Sequence, residues 1–301
     1  HGLARQVEAA ARVDAAEEKQ RLLEHALEVE GARHALATAR LARPAAVGVY
    51  SAGSRLALDE LERRALTNVP LVVLAPPGAN PVPLVARAHL SSPRGKGPFV
   101  VVDCTSSREH DVSRWRDPSS SPLVLAHGGL LLLGDGASLP RDVQQAIGEA
   151  LAERRSPSGS AEPLDIRLGL TSARELAPLL ESGELDPLLA SRFGAELLNP
   201  VRLPRLDERA EDLRAIVTDL LAREGVRSRG DAVGIEDRAF LELVEYTFPG
   251  GDAELLSIVR RLVASAGRDG VVRVEDVTGL KLDFGSDEPE KDAGTPKIRL
   301  V

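Results

Sequence analysis

The spacing of apolar and polar positions changes rhythm along this chain, and each rhythm predicts a different kind of element. From Leu3 to Ala42 the sequence is rich in Ala, Glu, Leu and Arg, lacks proline and holds one internal glycine, Gly31. Helix propensity is therefore high throughout, and a helix of that length extends about 60 Å. Leu3, Val7 and Ala10 begin a heptad-like seam that Leu23 and Leu27 resume, while Glu17 and Arg21 interrupt its register. Two arrangements satisfy this pattern: a dimeric coiled coil, or a solvated linker helix packed on the following domain. Arg43-Pro44 is expected to end the helix, because a residue before proline is pushed out of the helical region.

Beyond it, short apolar runs alternate with amphipathic stretches, as in parallel-sheet proteins. Ser54 to Leu66 carries Leu56, Leu61, Ala65 and Leu66 at helical spacing, with Ser54 as the expected N-cap. Strands are expected at Val69–Leu74, Phe99–Cys104, Leu130–Leu133, Ile166–Thr171 and Ala195–Val201, with helices at Leu84–Leu90 and Asp142–Arg155 and a polar loop at Ser156–Pro163. After Pro204 the strand signals cease, and Glu208–Ala222, Glu236–Tyr246 and Asp252–Ala266 read as three helices. Lys281 to Pro296 is dense in Asp, Glu, Gly and Pro, the composition of a mobile acidic tail. The pattern thus divides the chain into a linker helix (1–43), an α/β domain (44–204), a helical domain (205–280) and a tail (281–301).

Composition narrows the functional classes. The 301 residues carry a formal net charge of -8, with no long Lys/Arg run to form a phosphate-binding footprint, so direct nucleic-acid binding by this fragment is not expected. No apolar stretch approaches the roughly 20 residues that span a bilayer, and no secretory signal is visible. Cys104 is alone, which excludes a disulfide framework or a Cys-based metal site, and a cytoplasmic location fits. The chain begins His1-Gly2 and contains no Met, which points to a piece of a longer protein.

A more specific likeness emerges from a colinear set of motifs. Leu84-Val85-Ala86-Arg87-Ala88, Ser92-Pro93-Arg94 and Gly97-Pro98-Phe99-Val100 are followed by Gly128-Gly129-Leu130-Leu131-Leu132-Leu133, then by Leu139-Pro140 with Asp142-Val143-Gln144. Arg202-Leu203-Pro204, Leu206, Glu208-Arg209, Glu211-Asp212 and Phe248-Pro249-Gly250 complete the order. From about Val47 to Leu280 the chain resembles the AAA+ domain of bacterial enhancer-binding proteins, the activators of sigma-54 RNA polymerase. The resemblance implies a P-loop-NTPase-like α/β fold: a parallel five-stranded sheet with helices on both faces, then a small all-helical lid.

The same alignment implies that the nucleotide chemistry has been erased. A phosphate loop needs converging backbone N–H groups, a Lys reaching the phosphate oxygens and a side chain serving magnesium. The corresponding stretch reads Pro76-Pro77-Gly78-Ala79-Asn80-Pro81-Val82-Pro83. Its four prolines lack the N–H donor and fix φ where glycine would let the loop wrap, and Val82 stands where the family has its Lys. The family's Asp-Glu pair maps to Gly134 and Asp135; shifting by one makes Asp135 the magnesium carboxylate but places Gly136 where the water-positioning Glu belongs. The γ-phosphate-sensing Asn maps to Ala173, the nucleotide-contacting Arg of the lid to Ala253, and the first of two Arg fingers to Asp186, leaving Arg192. The vestigial pocket therefore comprises Gly78, Asn80, Val82, Asp135, Ala173, Arg192 and Ala253. No cofactor, metal ligand or catalytic residue is expected. The family's Gly-Ala-Phe-Thr-Gly-Ala remodelling loop is also missing, replaced by a shorter segment containing Ser106, Arg108, Trp115 and Ser119 to Ser121.

Trp115 flanked by Arg114 and Arg116 is a candidate partner-binding patch, because Trp and Arg dominate interface hot spots; the other reading has it covering the sheet edge. Arg192 reads either as a residual finger or as one half of a surface salt bridge. His127 with Asp103 lacks the Gly-x-Ser-x-Gly elbow of a hydrolase, and Cys104 reads as a buried small hydrophobe. The resulting expectation is an inactive AAA+ module for regulation, scaffolding or self-association through protein partners. The alternatives are an ATP- and Mg-binding sigma-54-type activator with an unconventional pocket, or a chain whose output is a DNA-binding element beyond Val301.

Overall fold

A computed structural model describes residues 2–47 and 49–280, with the side chains of the first helix described from Glu17 to Ala42. Expectations for the tail 281–301 lie outside the described residues. In chain order the elements are α1 (Gly2–Val47), α2 (Ala52–Ala65), β1 (Leu71–Leu74), α3 (Val82–Leu90), β2 (Phe99–Asp103), α4 (Val112–Arg116), α5 (Pro122–Leu125), β3 (Leu130–Gly134), α6 (Arg141–Ala152), β4 (Arg167–Ser172), α7 (Leu176–Glu181), α8 (Pro187–Ala190) and β5 (Val201–Arg202). Then come α9 (Ala210–Arg229), β6 (Gly234–Ile235), α10 (Asp237–Val244), α11 (Gly251–Ser265), β7 (Val271–Val272) and α12 (Val274–Thr278). Two compact units result: the chain up to Ile216 together with Gly251–Ala253, and residues 217–250 with those from 254 onward.

The first unit is built on a parallel sheet of order β2-β3-β4-β1-β5. Val72 stands opposite Leu170 and Leu131 opposite Leu168, so alternate residues of neighbouring strands point to the same face. One face buries Val72, Leu74, Leu131 and Leu133 with Val143 and Ile147 of α6 and Leu189 of α8. The other buries Leu71, Val73, Leu130 and Leu132 with Leu58 and Leu61 of α2 and Leu84 and Val85 of α3. Covering both faces explains why these strands are continuous apolar runs instead of alternating ones. At the β5 edge Leu203 N–H bonds Leu74 O at 2.9 Å, which turns Arg202 outward between Pro200 and Pro204. Those prolines have no N–H to offer a further strand, so the edge is blunted.

Three of the sequence expectations need correction here. The last strand is not Ala195–Val201: Gly194–Leu197 is a 3-10 turn and pairing begins only at Val201. Leu197 is buried from this turn and Leu198 is 80% exposed, so the two leucines do not share a ladder. The helix expected to stop at Arg43-Pro44 runs to Val47; a proline this close to a helix end removes a single backbone bond. The N-cap of α2 is Ser51, not Ser54: Ser51 Oγ accepts from Ser54 N at 3.1 Å.

That cap is itself held. Asp212, fully buried at the start of α9, accepts from Tyr50 N, from Ser51 N at 2.8 Å and from Ser51 Oγ at 2.9 Å. The opposite end of α2 is closed by Arg167, which enters from β4. Its Nε donates to Val69 O at 2.9 Å, Nη1 to Ala65 O at 2.8 Å and Nη2 to Arg64 O at 2.6 Å. Ala65 O and Arg64 O lie in the last turn of α2, where carbonyls lose their intrahelical partners, and Val69 O lies in the turn before β1; burial lowers the Arg167 pKa to about 10.

The segment between β2 and β3 folds inward. Trp115 is 1% exposed, and its Nε1 donates to Glu109 O at 3.0 Å. The partner-binding reading of Trp115 is therefore wrong: on α4 its indole faces the core and packs towards α6, while Arg114 pairs with Glu109 at 2.6 Å and only Arg116 is exposed. Cys104 is fully buried, and desolvation, followed by the nearby charges of Glu109, Asp103 and Asp135, pushes its thiol far up. His127 and Asp103 lie at opposite ends of the sheet, the former with Nδ1 accepting from Asp165 N at 3.3 Å and the latter bonded to Thr105.

The second unit packs Phe240 and Leu243 of α10, Leu255, Ile258, Val259 and Leu262 of α11 and Val277 of α12 into its own core. It also holds a two-residue parallel ladder, Gly234↔Val271 and Ile235↔Val272, where no strand was expected. No helix among the described residues is long and apolar enough to cross a membrane.

Two outcomes follow. Arg167→Ala removes three carbonyl partners and leaves a cavity, so urea unfolding should show a loss of about 3 kcal/mol; a loss below about 1 kcal/mol would contradict this capping role. Cys104 in the native protein should resist a disulfide reagent at pH 8 and react fully once unfolded; rapid native-state labelling would contradict its burial.

Candidate nucleotide site

The carboxyl ends of β1, β3 and β4 carry the positions where a P-loop fold handles nucleotide. After β1 the chain turns at once: Ala79 N bonds Pro76 O at 2.9 Å, and Val82 N bonds Asn80 Oδ1 at 3.1 Å. The four prolines of 76–83 contribute no donor. Of the four remaining N–H groups two are thus turned inward, leaving those of Gly78 and Asn80. α3 begins here with Pro81 as N-cap and Pro83 inside its first turn, so the helix terminus that would receive an anion is short of N–H groups as well.

Gly78 adopts a φ of 85°, in the left-handed region that favours glycine. Against it sits Ala253, which with Gly251 and Asp252 belongs to the same compact unit as Gly78. A methyl group built on Gly78 would overlap the N and Cβ of Ala253 and come within 2.6 Å of its Cα. The backbone of 251–253 is tied down by Asp252, which pairs with Arg209 in a largely buried ion pair. The space beside Gly78, where a phosphate would lie against a loop backbone, is on this side filled by the chain itself.

β3 ends at Gly134, and Asp135 follows with a φ of 53°. Its N–H bonds Thr171 O at 3.0 Å, and its Oδ1 accepts from Ala173 N at 3.3 Å. The carboxylate thus closes the turn after β4, within the field of Arg174, whose own main partner is Glu184 at 2.8 Å. A Cβ at Gly136 would lie 2.6 Å from Leu170 Cδ1, so any side chain there requires that leucine to move. Among the described residues no group of three His, Cys, Asp or Glu is placed to hold a metal.

The sequence-derived positions come together only in part. Gly78 meets Ala253, and Asp135 meets Ala173. Ala173 also lines, with Pro76 and Pro77, an open cleft of about 950 Å³ between α2 and β5. Asp186, in the place of the first Arg finger, is 3% exposed and caps α8 through Leu188 N at 2.9 Å. Its other oxygen meets Gln145 Nε2 at 3.2 Å and Arg141 Nε at 3.5 Å, so this carboxylate serves the packing of α6 on α8. Arg192 bonds the hydroxyl of Ser191, at 3.1 and 3.0 Å from Nε and Nη2. The surface salt bridge read for it is therefore not among the described contacts. Arg174 and the Arg209–Asp252 pair were missed by sequence reasoning, and an Arg directly following the Ala173 position was the only local signal.

The residues present do not fit a Mg-bound triphosphate. Lys is absent from the loop, its donors are depleted, its open side meets Ala253, and the single carboxylate is engaged by Ala173.

No protein-family model matches the chain. It is 30% identical over 225 residues to the nitrogen assimilation regulatory protein NtrX of Azorhizobium caulinodans, covering 69% of this chain and 48% of that protein. It is 25% identical over 258 residues to the sigma54-dependent transcriptional activator SfnR of Pseudomonas putida, covering 78% of this chain and 68% of that protein. Among solved structures, NtrX from Brucella abortus in complex with ATP superposes with a TM-score of 0.60 at 25% identity, covering 81% of this chain and 56% of the other. With NtrX in complex with ADP the TM-score is 0.57 at 26% identity, covering 75% and 54%. The chain spans about half the length of most of the curated relatives it matches, such as 48% of NtrX and 49% of the regulator GlrR of Escherichia coli. By sequence and by fold, this chain is related to the sigma-54-dependent transcriptional activators and resembles their AAA+ domains.

Proposed function

We propose that this chain is a AAA+ module that no longer binds or cleaves ATP and serves instead as a regulatory or scaffolding unit in bacterial signalling or transcription control. The observation that carries the reading is the loop at 76–83, where Gly78 is met by the backbone of Ala253 and prolines replace the N–H donors. Phosphoryl transfer is almost entirely positioning and electrostatics, so a site without Lys, sensor Asn or paired carboxylates has little left to accelerate it.

The packing residues survive while the charged ones do not. Leu84, Val85 and Ala88 still bury α3 against the sheet, and Val143 and Ile147 still bury α6. That division fits a fold retained for its surface, acting in the cytoplasm through protein partners or a second copy. The long α1 is then the element that links the α/β domain to a neighbouring sensor.

The test is calorimetric titration with ATP and magnesium, paired with thermal unfolding and phosphate release. The expected result is no saturable heat, a dissociation constant weaker than about 1 mM if any, an unchanged melting temperature and turnover at background. Saturable binding with a raised melting temperature, as mass action requires of a ligand for the folded state, would instead support the ATP-binding activator reading. Turnover lost in Asp135→Asn would decide for that alternative outright.

A further inference from the structure

We infer that His89 is a proton-sensitive tie beneath the seat of α1: its uncharged ring holds the turn 91–98 on which α1 lies, and a proton on Nδ1 releases that turn. The inference holds whether or not the nucleotide site is active.

α1 packs along α3, with Thr38 and Ala42 buried. Further along the helix Gly31 lies against Lys96: a Cβ built on it would be 3.5 Å from Lys96 Cβ and 3.6 Å from Lys96 O. Lys96 belongs to the turn that leaves α3 and enters β2, and this turn is closely wound. Gly95 N bonds Ser92 O at 2.9 Å and Gly97 N bonds Arg94 O at 2.7 Å. A Cβ at Gly97 would lie 2.5 Å from Gly128 O. From the interior the turn is held by His89, fully buried in the last turn of α3. Its ring packs on that of Phe99 with 5.4 Å between centroids, and its Nε2 lies 3.2 Å from Gly97 O. The carbonyl gripped by the imidazole is thus the neighbour of the one that lies under Gly31.

Chemistry fixes the protonation state of this grip. A carbonyl only accepts, so Nε2 carries the hydrogen and Nδ1 keeps a lone pair. Nδ1 is buried without a hydrogen-bond partner among the described residues, so a proton there would make a second buried donor with nothing to receive it. The neighbouring charges make it worse. Arg94 of the turn is fixed on Asn68 at 3.0 Å and Asp165 at 2.7 Å, and Arg167 of β4 on its three carbonyls. The charged and titratable groups of the other surrounding elements have partners of their own. α1 brings His34, paired with Glu30 at 3.3 Å, and α2 brings Glu62, paired with Arg87 of α3 at 3.2 Å. His127, beside Gly128, accepts from Asp165 N at 3.3 Å, and Asp103, at the far end of β2, is bonded to Thr105. Burial is the main cause that holds the His89 pKa below its ordinary value; the Gly97 carbonyl opposes it, and Arg167 and Arg94 add to it. A lowered folded-state pKa means that the tie is at full strength above the ordinary histidine pKa of about 6.5 and weakens as the pH falls below it.

Amide hydrogen exchange of the 301-residue chain tests this, with rates at pH 7.5 and 5.5 each divided by the intrinsic rate at that pH. Opening of the turn exposes a histidine of ordinary pKa, so peptides covering 31–42 and 91–98 should lose protection about tenfold between the two conditions. Peptides from α6 should keep theirs. His89→Gln, whose amide can still donate to Gly97 O but takes up no proton, should abolish the pH dependence at 31–42 and 91–98. Nitrogen-15 spectra of the parent protein supply a second readout that needs no variant: the His89 ring should remain neutral at pH 5.5, with hydrogen on Nε2 and none on Nδ1. A ring that takes up its proton near pH 6.5 while the turn stays protected would overturn the inference. So would a loss of protection spread equally over α6, or an undiminished pH dependence in His89→Gln.

Discussion

At the end of β1 the backbone of Ala253 approaches Gly78 closely enough that only a residue without a Cβ fits between them. A loop that wraps a phosphate must leave that space open and line it with N–H groups. Here the loop is stiffened by four prolines and shaped by two internal turns, while Asp252, locked to Arg209, holds the neighbouring turn in place. Alanine at 253 is part of the same arrangement.

The charged side chains at the strand ends make local structural contacts. Asp135 closes the β4 turn through Ala173 N, Arg174 is committed to Glu184, and Asp186 caps α8. Each is a local hydrogen-bonding role that holds without any ligand. The sheet beneath is undisturbed because its order and register are set by apolar side chains on both faces, and these do not depend on what lies at the strand ends. Arg167 and Asp212 add to this by closing the two ends of α2, fixing the direction in which β1 and the loop after it emerge.

The parallel sheet was readable because Leu71–Leu74 and Leu130–Leu133 are unbroken apolar runs flanked by turn residues, which only two-sided burial explains. Local pattern failed where the deciding partner is remote. Ser51 and Ser54 are equally good caps in isolation, and only Asp212, 161 residues away, makes Ser51 the choice. Leu197 and Leu198 read as strand until the 3-10 turn separates a buried leucine from an exposed one. Trp115 between two arginines resembles a surface anchor, yet the short α4 rotates the indole inward and the charges outward. At the candidate site, the prolines and Val82 of the loop and Ala173 after β4 were legible residue by residue. The seating of Ala253 on Gly78 joins positions 175 residues apart and has no local signature.

The contact between Gly78 and Ala253 is tested most directly by Gly78→Ala, followed by urea unfolding. A left-handed φ and the overlap with Ala253 together predict a loss of about 2 to 3 kcal/mol. A change within about 0.5 kcal/mol of the parent protein would mean that the loop has room beside it, and that the space a phosphate needs is still there.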